Sequence, residues 1–205
     1  MTLKPDLRPL VIAGAPDAPH TLDVFLDYVC PYSAKIIATI DTVLKPLVDQ
    51  GGKYHGKVKI IFRPQVQAWH GTSTYTHEAG FAALRASPEH FYKFSLLLFK
   101  HQTEFFDEPV LHLTVAQIRQ KLVQVAAEVL PEPAMPEFKR LLELRSSANG
   151  GVGVTDDLKY AIKYGRQNSI HVSPTAMWDG LVDNAVSSSW GETEWTEFFR
   201  NKVIV

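Results

Sequence analysis

Among 205 residues there is a single thiol, Cys30, and it stands in Cys30-Pro31-Tyr32-Ser33. A thiolate is the strongest nucleophile that a protein side chain supplies near neutral pH, so this position is where covalent chemistry would occur. Ser33 follows one helical turn later. Its hydroxyl could donate to the Cys30 sulfur, or it could be an inert remnant at that position. Asp27 comes just before the thiol, where a carboxylate can relay a proton to or from it or can hydrogen-bond the nearby backbone. Far along the chain, Ser173-Pro174-Thr175 forms a second polar turn. His70 and the pair His77-Glu78 follow the second predicted strand, and either histidine could line a cleft or pack inside the helical region. The eight histidines include no H-E-x-x-H spacing, and no C-x-x-C exists, so no metal site is expected.

The elements that must position these groups are legible in the periodicity. Residues 21–28 alternate as a strand, with Leu22, Val24 and Leu26 on one face. After Val29-Cys30, Pro31 suits the first turn of a helix, where its missing N–H costs nothing. Ile36, Ile40, Val43 and Leu47 predict that helix's buried face, and Pro46 is expected to kink or end it. Gly51-Gly52 turn the chain into a second strand, 58–63. Strand, helix and strand in so short a span predict a parallel βαβ unit with a right-handed crossover. Cys30 then falls between a strand end and a helix N-terminus, where the helix dipole stabilises a thiolate.

From 73 to 168 the pattern is almost wholly helical. Helices are predicted over 74–85, over 89–101 with Ser87 as cap, from a Thr114/Gln117 capping box to 129, over 136–144, and from a Thr155 cap to 168. Residues 175–178, a turn at Asp179-Gly180 and residues 181–183 predict a hairpin. A capping box at Ser189/Glu192 opens a last helix that buries Trp195, Phe198 and Phe199. The expected organisation is a strand–helix–strand and hairpin–helix unit, 1–72 plus 150–205, carrying an inserted helical cap, 73–149. Upstream, 10–13 are expected to form an arm or an added edge strand.

Composition adds exclusions. Hydrophobic residues at 45% and charged residues at 21% are ordinary globular values, and a net charge of −1 offers nothing to attract nucleic acid or an anionic membrane. No apolar run approaches the roughly 18 residues that span a bilayer. The short apolar stretch at 10–13 is broken by Gly14 and Pro16, so it is not expected to be an export signal. One cysteine precludes an internal disulfide, which favours a reducing compartment, with the cytosol as the expected location. An exposed sheet edge and the N-terminal arm leave a homodimer open.

Gly14-Ala-Pro-Asp-Ala-Pro19 followed by Val24-Phe-Leu-Asp-Tyr-Val-Cys-Pro-Tyr32 resembles the start of DsbA-like thioredoxin-fold proteins. Val172-Ser-Pro-Thr175 resembles that family's cis-proline loop, and the Phe91 to Phe106 aromatic pattern resembles its inserted helices. The resemblance implies an α/β thioredoxin fold with a helical cap. It also implies a cis peptide before Pro174, facing Cys30. Docking of a thiol substrate is expected at Pro31, Tyr32, Ser173, Pro174 and Thr175, with His70, from its place after the second strand, as a further binding candidate. The family's second cysteine is Ser33 here, and a hydroxyl cannot expel a substrate from a mixed disulfide. The chain is therefore expected not to be a dithiol disulfide donor. The motif is also similar to kappa-class glutathione transferases and 2-hydroxychromene-carboxylate isomerases, which use a serine to steady the thiolate of bound glutathione. The leading expectation is a monothiol thiol–disulfide oxidoreductase with Cys30, Ser33 and Asp27 as catalytic candidates. It would use glutathione as co-substrate, with no tightly bound cofactor. A kappa-type transferase or isomerase and a catalytically silent binding module are the alternatives.

Overall fold

The computed structural model describes residues 3–204. Five strands form one sheet in the order β1-β3-β2-β4-β5. β2 (His20–Leu26) runs parallel to β3 (Val58–Pro64), with Leu22 opposite Ile60 and Val24 opposite Phe62. β1 (Val11–Ala13) joins the far side of β3 antiparallel, which confirms the added edge strand. β4 (Thr175–Trp178) pairs antiparallel with β2, and β5 (Leu181–Val182) returns beside it through the turn at Asp179 and Gly180. Asp179 takes a positive φ of 49°, where its short polar side chain is tolerated. β2 is buried along its whole length, as a central strand covered on both faces must be. Leu22, Val24 and Leu26 enter the main core, while Phe25 packs with Ile170 and Met177 on the other side.

The crossover helix α1 (Pro31–Thr39) continues through a π turn, Ile40–Leu44, into α2 (Lys45–Val48). The expected buried face is corrected here. Ile36 and Ile40 are buried as read, but Leu44 and Val48 replace Val43 and Leu47. The wider π turn inserts one residue and so shifts the inward face by one position. It lies immediately before Pro46, whose ring removes a helical donor that a regular α-helix would need. The chain leaves the helix at Asp49, so the proline ends it within one turn.

Between β3 and β4 lie α3 (Ser73–Ala86), α4 (Phe91–Lys100), α5 (Asp107–Val110), α6 (Val115–Ala127), α7 (Met135–Leu141) and α8 (Thr155–Gln167). The Thr114/Gln117 box is formed as predicted: Thr114 Oγ1 accepts from the Gln117 N–H and Gln117 Oε1 accepts from the Thr114 N–H. Thr114→Ala should cost about 1 kcal/mol in an equilibrium urea melt, the usual value of such a cap. Three other predicted caps are corrected. Ser87 bonds the Glu89 and His90 side chains, and a 3-10 turn, Pro88–His90, leads into α4 instead. Thr155 is already inside its helix and accepts from the Val152 N–H. The last helix, α9 (Glu192–Lys202), starts after Gly191, whose N–H is taken by the Glu194 carboxylate, so the Ser189/Glu192 box is displaced by two residues. Trp195, Phe198 and Phe199 are buried from α9 as expected.

Among the described residues, no helix is long and apolar enough to cross a membrane.

Candidate active site

The segment 27–30 joins the end of β2 to α1, and Tyr28 anchors it. The Tyr28 ring is fully buried against His77 and Phe99, each 5.0 Å away between centroids. Its hydroxyl meets Ser95 Oγ at 2.8 Å, and its carbonyl accepts from Gln102 Nε2 at 3.2 Å. Gly80 in α3 makes room for that hydroxyl, because a Cβ there would lie 2.7 Å from it. The turn is therefore clamped between α3 and α4 before the thiol is reached.

Cys30 is the N-cap residue of α1, in extended conformation, with Pro31 at the first helical position. Its own side chain caps nothing, so the sulfur sits at the positive end of the helix dipole, where an anion is favoured by roughly 0.3–1 kcal/mol. The Cys30 S–H donates to the Ser173 carbonyl at 3.3 Å, across 143 positions of sequence. The Ser173–Pro174 peptide is cis. Thr175 Oγ1 donates to the Val172 carbonyl at 2.7 Å and closes this loop on itself. The loop is also tied from β3's exit: the Gln67 amide, oriented as its neighbours require, accepts from the Ser173 N–H at 2.7 Å and donates to the His171 carbonyl at 3.3 Å.

Ser33 is fully buried, and its hydroxyl accepts from the Asp27 N–H at 3.2 Å, with no hydrogen bond to the Cys30 sulfur. Asp27 does not reach the sulfur either. Its carboxylate accepts from the Val29 N–H (3.1 Å) and Ser73 Oγ (3.0 Å) on one oxygen, and from the Gln67 N–H (3.3 Å) and His70 Nδ1 (2.7 Å) on the other. Two donors on each oxygen suit a carboxylate, which is an acceptor only. His77 lies behind this group, with Nδ1 2.8 Å from the Ser73 carbonyl and Nε2 3.2 Å from the Leu26 carbonyl. It is a packing and bridging residue, as is Glu78, which pairs with Arg119 at 2.9 Å.

A cleft of about 550 Å³ is lined by Val29 and Pro31, the neighbours of Cys30, and by His70, Phe105, Phe106 and Asp107, while Cys30 itself is not part of its lining. That volume suits a ligand of tripeptide size. Pro31 and His70 line it, while Tyr32, Ser173, Pro174 and Thr175 do not. The predicted substrate-binding residues thus divide into those that line this cleft and those that do not. Tyr32 is 58% exposed, and the Lys35 ammonium lies 5.5 Å from its ring centroid. Among the described residues, no group of three or more histidine, cysteine or acidic side chains is placed to hold a metal ion.

Gln67 and Ser73 were not among the sequence candidates, although they tie Asp27 to the proline loop. Gln67 lies just past β3 in a stretch with no periodic signal and Ser73 is the first residue of α3, and only the fold brings them to Asp27.

The Thioredoxin family profile matches residues 8–149. Among solved structures, a candidate protein-disulfide isomerase from Pseudomonas syringae superposes with a TM-score of 0.70 at 28% identity, over 92% of this chain and 97% of that one. BdbD from Bacillus subtilis gives 0.62 at 17% identity over 96% and 94%, and Chlamydia trachomatis DsbA gives 0.63 at 15% over 100% and 96%. At those lower identities the likeness is one of fold, and it covers the inserted helices as well as the sheet. The search of curated proteins found no match.

Proposed function

This chain belongs to the thioredoxin family, and on that footing we propose that it is a monothiol thiol–disulfide oxidoreductase working with glutathione. The observation that carries the reading is the Cys30 S–H bonded to the Ser173 carbonyl beside the cis Pro174. In the first step the Cys30 thiolate attacks a disulfide R–S–S–R′. A Cys30–S–S–R bond forms, the original S–S bond breaks, and R′S⁻ leaves. Reduced glutathione then attacks the mixed disulfide, releases RSH and becomes the new mixed disulfide, which a second glutathione resolves to glutathione disulfide. Two glutathione thiols are oxidised for each substrate disulfide reduced, and no second protein cysteine takes part.

In this reading the cis-proline loop takes part in the cycle. Once Cys30 is in a mixed disulfide its S–H is gone, and the Ser173 carbonyl becomes free to accept an N–H from the bound partner. The Ser173 N–H, held by Gln67, is not offered to substrate. Docking through this loop therefore uses the carbonyl. The kappa-type alternative gains no support from Ser33, whose hydroxyl is turned to the Asp27 backbone. A cytosolic setting, where reduced glutathione is plentiful, belongs to the same proposal.

Turnover of a small mixed disulfide with glutathione, followed by coupled reduction of the glutathione disulfide formed, tests this directly. The expected result is a rate that requires added glutathione and is first order in enzyme. A protein that catalyses oxidation of dithiol substrates without glutathione, or no turnover above the uncatalysed exchange, contradicts it.

A further inference from the structure

The proline loop is open to solvent, with Val172 53% exposed, yet most of its backbone is already bonded within the chain. The Val172 carbonyl accepts from Thr175 Oγ1 at 2.7 Å, and the His171 carbonyl accepts from the Gln67 amide at 3.3 Å. Pro174 has no N–H, and Thr175 is paired with Phe25 at the start of β4. Ser173 is therefore the residue at which a partner strand would dock. An antiparallel hydrogen-bonded pair exchanges two bonds, one through the N–H and one through the carbonyl of the same residue. The Ser173 carbonyl is released when Cys30 enters a mixed disulfide, because the S–H that it accepts is then gone. The Ser173 N–H is not released, because Gln67 Oε1 accepts from it at 2.7 Å. Gln67 is itself fixed from behind: it is 3% exposed, and its own N–H donates to Asp27 Oδ2 and Ser73 Oγ, each at 3.3 Å. None of these bonds involves Cys30.

We propose that Gln67 is the specificity-determining residue of this loop: it covers the Ser173 N–H and so directs the exchange to small disulfides and away from disulfides set in extended polypeptide. This rests on the monothiol reading above and deepens it by naming the substrate class. An extended polypeptide gains its affinity for a strand or loop edge from main-chain hydrogen bonds. At Ser173 it would find an acceptor and no donor. Its own carbonyl would be brought against Gln67 Oε1, two acceptors with no proton between them, and an acceptor left unpaired in this way is disfavoured. A small disulfide with no peptide backbone beside its sulfur needs no such pair and is not discriminated against. Glutathione needs only one bond, since its cysteine N–H can donate to the freed Ser173 carbonyl while Gln67 stays in place.

Turnover with glutathione as reductant tests this on two symmetrical disulfides. One is that of mercaptoethanol, which has no backbone, and the other is that of a linear peptide with a central cysteine, long enough to lie as a strand. Each kcat/KM is divided by the rate constant of the uncatalysed exchange with glutathione, which cancels the intrinsic reactivity of the disulfide. Wild type should enhance the peptide disulfide no more than the small one. Gln67→Leu uncovers the Ser173 N–H. The ratio of peptide to small-disulfide kcat/KM should then rise about fivefold, the factor that one added neutral hydrogen bond supplies, through a lower KM for the peptide. Any loss that loosening of the loop imposes on both substrates cancels in that ratio. Gln67→Glu also gives up the bond to the His171 carbonyl but keeps an acceptor at the Ser173 N–H, so its ratio should match wild type. A much larger wild-type enhancement for the peptide, an unchanged ratio in the leucine variant or an equal rise in the glutamate variant would each overturn the proposal while leaving the monothiol reading intact. The first of these is read on wild type alone and decides the matter where the leucine variant does not fold. A wild-type protein that turns over neither disulfide would overturn that reading and this proposal with it.

Discussion

Cys30→Ser should abolish glutathione-dependent turnover to the level of the uncatalysed reaction while leaving the fold intact. The protein holds no other thiol, so nothing else can form the mixed disulfide. A hydroxyl at this position retains a donor for the Ser173 carbonyl, so the bridge to the proline loop need not collapse. The side chain shrinks only slightly, and the expected change in unfolding free energy is within about 1 kcal/mol, the scale of one neutral hydrogen bond. A parallel loss of activity and of folded structure would mean that Cys30 is a core residue. Turnover and a urea melt on the same preparation separate the two.

The second large effect is expected at Asp27, and it falls on stability as much as on activity. Asp27→Ala leaves the Val29 and Gln67 N–H groups, Ser73 Oγ and His70 Nδ1 without their shared acceptor in a site that admits little water. Each buried donor left unmade costs about 1–3 kcal/mol, partly recovered by local rearrangement and by exposure at His70. We expect a net loss of about 3–5 kcal/mol, a large share of the roughly 5–15 kcal/mol typical of a folded domain. Asp27→Asn keeps the shape but turns one acceptor into a donor, and should cost about half as much. A denaturant midpoint shift at unchanged slope measures both. A loss below about 1 kcal/mol for the alanine variant would mean that the network is replaced easily by water.

Much of this architecture is written in local patterns. The alternation at Leu22, Val24 and Leu26, the proline after Cys30 and the Asp179-Gly180 turn each specify their element without help from the rest of the chain. The errors have physical causes. A period of 3.6 extended past Ile40 misplaces the inner face because the π turn adds a residue, which only Pro46 hints at. Ser87 and Thr155 have the right chemistry for helix caps, but side chains and loop N–H groups nearby compete for the same oxygens. The site shows the same division. Cys30 and Ser173-Pro174 stand out as a motif, and their meeting at 3.3 Å follows from the parallel β2–β3 pair with β4 beside it. The backbone role offered for Asp27 is met at the Val29 N–H. Its other partners arrive from the turn after β3 and from α3 and so could not be read, and Ser33 turns to the Asp27 N–H instead of the sulfur. A carboxylate three residues before a thiol suggests direct contact, yet here the backbone turns it away toward His70, Ser73 and Gln67.

The central claim is that Cys30 is a nucleophile that forms and releases a mixed disulfide with glutathione. The most direct measurement is the intact mass of the protein after incubation with glutathione disulfide, with peptide mapping of the product. One glutathionyl group is expected, located on Cys30 and removed by reduced glutathione. A protein that stays unmodified where an unstructured cysteine peptide reacts fully would contradict it.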